Sequence, residues 1–451
     1  MTVASTRTKV EQALSRSFEA VAAQLPGGHA VAAARKAAIG TFAALGLPHR
    51  RIEQWKWTDL RGALKEALPP AALGAVTIAA PTLDAALEEL ADIDAHRMVF
   101  VDGRHVPEMA TPGTVSGLTL TPLAEALLGS DGWACDGLAG QMAGQSSAGH
   151  GAVIALNTAF MTDGAVIRLG KEVRLAKPLL LVFARKAEEG HLVTTRNIIA
   201  LGDGAEATVM EVHLALPGAA AGQANTLTDV VLGAGARLSH GKCTLAGEEA
   251  SHLATWLVTL GRASTYHAFQ LTARSGLVRN NVFATFKGEG AKLDISGAFL
   301  GRSVEHIDTT LLVDHAVPGC ESRELFKGVL ADRAHGVFQG KVIVRPNAQK
   351  SDGKQMAQAL LLSPDAEFDS KPELEIHADD VACGHGATAA EIDEGLLFYM
   401  RARGIPVAEA RALLIESFIG EAIDKVEDEC LRAALSQMVK RRLTGLTASQ
   451  P

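Results

Sequence analysis

Leu201-Gly-Asp-Gly-Ala-Glu-Ala-Thr-Val-Met-Glu-Val212 is the stretch that decides the fold. A Leu-Gly step and a second glycine lead into a run of alternating character, and the pattern recurs. Leu169-Gly170, Leu232-Gly233 and Leu260-Gly261 repeat the step, with Lys287-Gly288 as a weaker copy, and successive glycines are 32, 31, 28 and 27 residues apart. Gly202-Asp-Gly-Ala205, Gly233-Ala-Gly-Ala236 and Gly288-Glu-Gly-Ala291 share the longer form. A glycine at a near-fixed interval marks a turn that needs positive φ once per structural unit. From about residue 153 to about 382 the chain alternates short aliphatic runs with such turns and shows no helical period. This pattern fits a β-solenoid of stacked units. A sandwich or barrel with glycine-rich hairpins is the alternative. Aromatics make up only 4% of the chain, as suits a narrow interior filled by aliphatic ladders.

Outward from the repeat, both ends turn helical. Val10, Leu14, Phe18, Val21 and Leu25 form one stripe, stopped by Pro26-Gly27-Gly28, and Val31, Ala34, Ala38, Phe42 and Leu45 form a second. Another short helix is expected over 83–91. Residues 98–110 read as a hairpin turning at Asp102-Gly103, a short helix follows around 121–128, and 129–151 reads as a connector. Past the repeat, Thr388-Ala-Ala-Glu391 has the form of a capping box, opening a helix lined by Ile392, Leu396, Tyr399 and Met400. Gly404 fits the C′ position and Pro406 the first position of the next helix. That helix carries Val407, Ala410, Leu414 and Phe418 on one side and Ala408, Ala412, Ile415 and Ile419 on another, so two things should pack against it, the solenoid end and a partner among the candidates. A last helix, about 429–443, ends in Lys440-Arg-Arg442, which suits a helix dipole. The expected organisation is a helical region 1–95, a β-helix core 96–386 with its entry hairpin and linker, and a helical domain 387–451.

Composition excludes several functions. A net charge of −8 argues against tracking nucleic-acid phosphates. No run approaches the ~18 apolar residues of a membrane helix. Five scattered cysteines make no disulfide framework and suggest reduced thiols in the cytoplasm, and the polar start Met1–Gln12 does not read as a signal peptide. No Gly-Lys pair is followed by Ser or Thr, so there is no Walker A motif, and GxGxxG, HExxH, GxSxG and CxxC are all absent.

One short constellation remains, Cys383-Gly-His-Gly386. On a strand, residues two apart face the same side. A thiolate and an imidazole suit iron, zinc or an iron–sulfur cluster, but they supply only two ligands of four. A buried structural thiol and a Cys–His nucleophile are the other readings. Cys135, Cys243, Cys320 and Cys430 are expected to be structural, His306 and His315 to be polar solenoid positions, and Asp379-Asp380 to be a surface turn.

The block from Asn347 to Thr388 resembles the SufB/SufD family, scaffold subunits of the SUF iron–sulfur assembly system. The likeness rests on Asn347-Ala-Gln-Lys-Ser-Asp352, Leu360-Leu-Leu-Ser363, Lys371-Pro-Glu-Leu-Glu-Ile376, Asp379-Asp-Val381 and Cys383-Gly-His-Gly-Ala-Thr388, continues through Ile392-Asp393, Leu397-Phe-Tyr399 and Arg401-Ala-Arg-Gly-Ile405, and includes Glu53-Gln-Trp-Lys56 with Thr58 upstream. The form is most like the SufD branch, with Gly384 where many relatives have Ser and Met356-Ala357 where an Asn-containing stretch is common.

The resemblance implies a right-handed parallel β-helix between helical regions and a non-catalytic, cytoplasmic scaffold. It implies pairing with a SufB-like paralogue through the β-helix ends, or with a second copy when alone. It also implies docking of a SufC-like ABC ATPase on the C-terminal helices, for which Tyr399, Arg401, Arg403, Leu414 and Phe418 are the candidates. His385, with Cys383, would act in iron acquisition or cluster formation at the paired ends. No cofactor would stay bound in isolation, and iron or a cluster would pass through transiently. The readings kept beside this one are a structural partner that does not touch iron, a SufB-like holder of the nascent cluster, and a β-helix enzyme acting on polysaccharide.

Overall fold

The structure, a computed structural model, describes residues 7–111, 115–129 and 150–447. Nearly every residue between 165 and 390 belongs to a two-sheet parallel solenoid of about eight turns. One sheet carries the odd strands β1 (His96–Val101), β5 (Leu179–Arg185), β7 (Glu206–Ala215), β9 (Arg237–Leu245), β11 (Thr265–Ala273), β13 (Lys292–Gly301), β15 (Glu321–Leu330), β17 (Asp352–Leu361) and β19 (Ala382–Ala390), with β2 (Arg104–His105) at its far edge. The other carries β3 (Leu118–Pro122), β4 (Ala165–Leu169), β6 (Leu192–Leu201), β8 (Gln223–Leu232), β10 (Gly247–Leu260), β12 (Ser275–Phe286), β14 (His306–His315), β16 (His335–Val344) and β18 (Glu367–Ile376). Successive strands alternate between the sheets, so each rung stacks on the one before. Among the described strands only the β1–β2 and β3–β4 pairs are antiparallel, and β1–β2 is the expected hairpin, with Asp102 and Gly103 both at positive φ.

The glycine series marks one corner of this stack. The N–H of Gly202 donates to the Leu169 carbonyl, that of Gly233 to Leu201, that of Gly261 to Leu232 and that of Gly288 to Leu260. The expectation that these glycines supply positive φ holds only for the second glycine of each turn, Gly204, Gly235 and Gly290. The first is needed for a different reason: a Cβ on Gly288 would stand 2.0 Å from the Arg262 nitrogen, and one on Gly261 would stand 2.5 Å from the Leu232 oxygen. The rungs approach too closely there for any side chain.

The helices cover the two outer faces of the solenoid and leave the last strands, β18 and β19, partly or fully exposed. On the even-strand face lie α1 (Lys9–Val21), α2 (His29–Leu45), the short α3 (Leu60–Ala63) and α6 (His150–Phe160), with Leu14, Phe42, Trp55 and Phe160 packed toward Leu192 and Leu253. A short α4 (Ala80–Ala86) stands where a helix was expected over 83–91, and α5 (Leu123–Ala126) falls within 121–128. α6 corrects the sequence reading, which had a connector to 151 and strands from 153. It is buried on every side, so its apolar residues show no period. The rest of the connector, 130–149, and Cys135 within it lie outside the described residues.

On the odd-strand face lie α8 (Val407–Ile423) and α9 (Glu429–Thr447), whose Ile415, Ile419, Leu431 and Leu435 pack on Val182, Val212, Phe269 and Leu271. α8 therefore meets a flat face of the solenoid and not its end. Lys440, Arg441 and Arg442 are not at the helix terminus; they pair with Glu416, Glu88 and Glu89.

A capping box does not form at Thr388. That residue continues β19, whose ladder with β17 runs on to Ala390, and the helix α7 (Glu394–Ala402) starts four residues later. Asp393 is its cap, accepting from the backbone N–H of Gly395 and Leu396. α7 buries Leu397 and leaves Leu396 and Tyr399 exposed. Pro406 is the cap residue of α8, one place before the expected position.

Candidate functional site at the open end of the solenoid

β18 and β19 are the last strands of their sheets, and each has one hydrogen-bonding edge without a partner strand among the described residues. Cys383 and His385 stand on β19 in register with Gly353 and Gln355 of β17. Their row points into the lumen: Cys383 packs against the interior cluster, beside Val381 and Leu374. The thiol packs over Gly353, where a Cβ would lie in ordinary contact at 3.6 Å from Cys383 Sγ. His385 is exposed at the mouth.

Burial pushes the Cys383 thiol up, and the negative charges of Asp352 and Glu324 add to this, against a lowering hydrogen bond from the Gly353 backbone. The thiol is therefore held protonated near neutral pH, unlike an activated nucleophile, and it becomes a good ligand only when a cation arrives. Among the described residues no group of three or more His, Cys, Asp or Glu is placed to hold a metal. This end contributes two donors and no complete site.

His306, His315 and Cys243 are held in contacts within the chain. His306 Nε2 lies 2.9 Å from Thr58 Oγ1, and His315 Nε2 lies 3.1 Å from Ser322 Oγ. Cys243 is fully enclosed, its thiol pushed up to about 12 by burial. Asp380 pairs with Lys350 in a surface turn.

The segment Glu53–Thr58 gains a physical role. Trp55 is buried against the solenoid beneath Arg279, which pairs with Asp308 and donates to the Gln54 carbonyl at 2.6 Å. Thr58 donates to the same Asp308. Glu53 reaches Lys371 of the terminal strand β18 at 2.6 Å. This segment thus ties the N-terminal region to the rungs next to the open end.

On the C-terminal side, Tyr399, Arg401 and Arg403 are exposed on and just after α7, and the Arg403 guanidinium donates to Tyr399 Oη at 2.7 Å. Leu414 and Phe418 are only half exposed, and Lys327 Nζ sits 4.3 Å from the Phe418 ring centre, so Phe418 is partly used within the chain. The sequence reading passed over Phe398, which is 72% exposed, and Leu413. Leu396, Tyr399 and Val407 are exposed as well, so α7 and α8 leave several large apolar side chains uncovered, as interaction surfaces do. The run Leu396-Leu-Phe-Tyr399, too apolar for a helix with a single buried face, was the available signal.

Comparison with known proteins places this architecture. Residues 183–418 match the family model described as "SUF system FeS cluster assembly, SufBD core domain", and residues 9–181 match "SufBD protein N-terminal region". The chain is 31% identical to the iron-sulfur cluster assembly protein SufD of Escherichia coli, over 89% of this chain and 90% of that protein. It is 30% identical to an iron-sulfur cluster assembly SufBD family protein of Synechocystis sp., over 90% of both. It is 25% identical to the iron-sulfur cluster assembly protein SufD of Bacillus subtilis, over 64% of this chain and 66% of that protein.

Proposed function

The chain belongs to the SufBD family of iron–sulfur cluster assembly proteins, and from that premise we propose that it is a SufD-like, non-catalytic scaffold subunit of the cytoplasm. It pairs with a SufB-like paralogue end to end and carries a SufC-like ABC ATPase on its C-terminal helices. Iron, or a cluster being built, is the cargo at the paired ends and not a resident cofactor.

The observation that carries this reading is the open end. Two edge strands there offer unpaired backbone groups, a ready template for another sheet end. A thiol and an imidazole face the lumen at that same edge and can fill half of a four-ligand shell. A partner seated on the edges would supply the rest. The exposed apolar side chains of α7 and α8 support the ATPase assignment, since nothing within the described chain covers them.

The test is co-purification of the full chain with SufB-like and SufC-like subunits, followed by anaerobic measurement of iron content and visible absorption. The expected result is a three-part complex whose cluster yield falls severalfold with His385→Ala. A complex that assembles clusters equally well with His385→Ala leaves the chain as a structural partner only. No complex at all sinks the reading.

A further inference from the structure

The last rungs place one acidic side chain in line with His385. Ile295, Glu324, Gln355 and His385 are register partners on β13, β15, β17 and β19. At a strand spacing of about 4.8 Å, the Glu324 backbone lies roughly 10 Å below that of His385. Glu324 is 3% exposed, and neither carboxyl oxygen completes a hydrogen bond of normal geometry, although the Ser322 hydroxyl stands near enough to favour the ionised form. Gln355 crosses the lumen between the two. Its Nε2 donates to the Glu373 carbonyl of β18 at 3.3 Å. Its Oε1, also without a partner, fills the space that a side chain on Gly340 would take, 2.0 Å from where a Cβ would stand. Around them the lumen is apolar, with Phe326 and Phe338 in contact at 5.2 Å between ring centres. A carboxyl without a complete hydrogen bond in such surroundings contributes nothing favourable to folding.

We propose that Glu324 is a positioning residue for the Cys383–His385 pair, a buried counter-charge kept beneath the mouth for a divalent cation held there. The proposal rests on the reading of the open end as an iron site and adds to it a residue outside the ligand shell. Glu324 acts across Gln355 and is no third ligand, as no three such groups converge. It stands in the same lumen-facing row as His385, two strands below it, so a charge there faces the mouth.

Burial pushes the Glu324 carboxyl up to about 8, with Asp294 of β13 raising it further and Ser322 and Arg323 of its own strand lowering it. Near neutral pH with the mouth empty it is a neutral acid. A cation above it favours the ionised form: the carboxyl O–H bond breaks, the proton leaves to solvent, and the carboxylate offsets part of the incoming charge.

Cobalt(II) is a suitable probe, because thiolate–cobalt absorption reports the Cys383 side directly. The full-length chain is titrated anaerobically with Co²⁺ at pH 6.5 and 8.5, and protons released per Co²⁺ at pH 7 are read with an indicator dye. Glu324→Gln is expected to weaken binding about tenfold at pH 8.5, the effect of a unit charge roughly 10 Å away in a protein interior. At pH 6.5 the loss should be smaller, and proton release should fall by up to one. Glu324→Asp should keep the extra proton, which a packing role would not predict. Equal affinity and equal proton release in Glu324→Gln, with binding still abolished by His385→Ala, overturn this proposal alone. A wild-type chain that takes up no Co²⁺, or His385→Ala that binds as well as wild type, overturns the open-end reading and this proposal with it.

Discussion

Arg279 lies over Trp55, its guanidinium carbon 3.8 Å from the ring centre. Both side chains are fully buried between the N-terminal region and the even-strand face, and Asp308 neutralises the charge. A buried guanidinium is tolerated only with such partners, because its desolvation is costly. Asp308→Asn or Arg279→Met leaves a partner uncompensated, and each should destabilise the fold by about 3–5 kcal/mol. Trp55→Ala should cost a similar ~3–5 kcal/mol through the cavity it leaves. Denaturant unfolding measures all three; a loss under ~1 kcal/mol for Asp308→Asn would contradict this account.

The two kinds of rung glycine should respond differently to alanine. At Gly235 a Cβ meets nothing within 4 Å, and only the positive φ of 66° opposes it. Gly235→Ala should cost about 1–2 kcal/mol. At Gly288 the new carbon meets the Arg262 backbone at 2.0 Å, so the rungs themselves must separate. Gly288→Ala should cost clearly more, about 3 kcal/mol or above. Equal melting temperatures for the two variants would show that stacking distance is not what fixes the first glycine.

Glu324 should also appear in the pH dependence of stability. Its folded-state pKa of about 8 is raised above the ordinary carboxyl value of 4.5, so between those values the folded chain holds a proton that the unfolded chain has lost. Its contribution is therefore most favourable at low pH and declines as pH rises from about 4.5 to about 8, by up to ~1.4 kcal/mol per pH unit. Glu324→Gln removes this slope. The stability difference between variant and wild type should grow in the variant's favour from pH 5 to pH 9 and then level off. Parallel curves over that range would place the carboxyl in a wetter site than its surroundings imply.

Phe398 is 72% exposed on α7, so Phe398→Ser should leave stability within about 0.5 kcal/mol. If α7 docks the ATPase, the same change should weaken that complex by about tenfold or more, as for a central aromatic anchor. Paired melting and binding measurements separate the two effects. Unchanged binding would move the docking surface off α7.

The repeat was legible because each rung repeats one local demand, a close approach at the first glycine and a left-handed turn at the second, and such demands leave their residues in the sequence. The Asp102-Gly103 turn and the Gly404 stop were legible for the same reason. The false capping box at Thr388 shows the limit. Its four residues satisfy a helix start locally, but β17 offers their backbone a ladder, and that pairing extends the strand to Ala390. α6 escaped notice because burial on all sides erases the period that reveals a helix.

By itself the sequence determined the stacked-turn architecture, the helical ends, the family and the Cys383–His385 pair, since each is written in contiguous residues. Only the tertiary structure decided which faces the helices cover, that the pair lies at an uncovered edge facing the lumen, and that Glu324 sits buried in the same row. Those facts depend on the register between strands about 30 residues apart. Register follows from the summed fit of every rung to its neighbours, and no single segment records it.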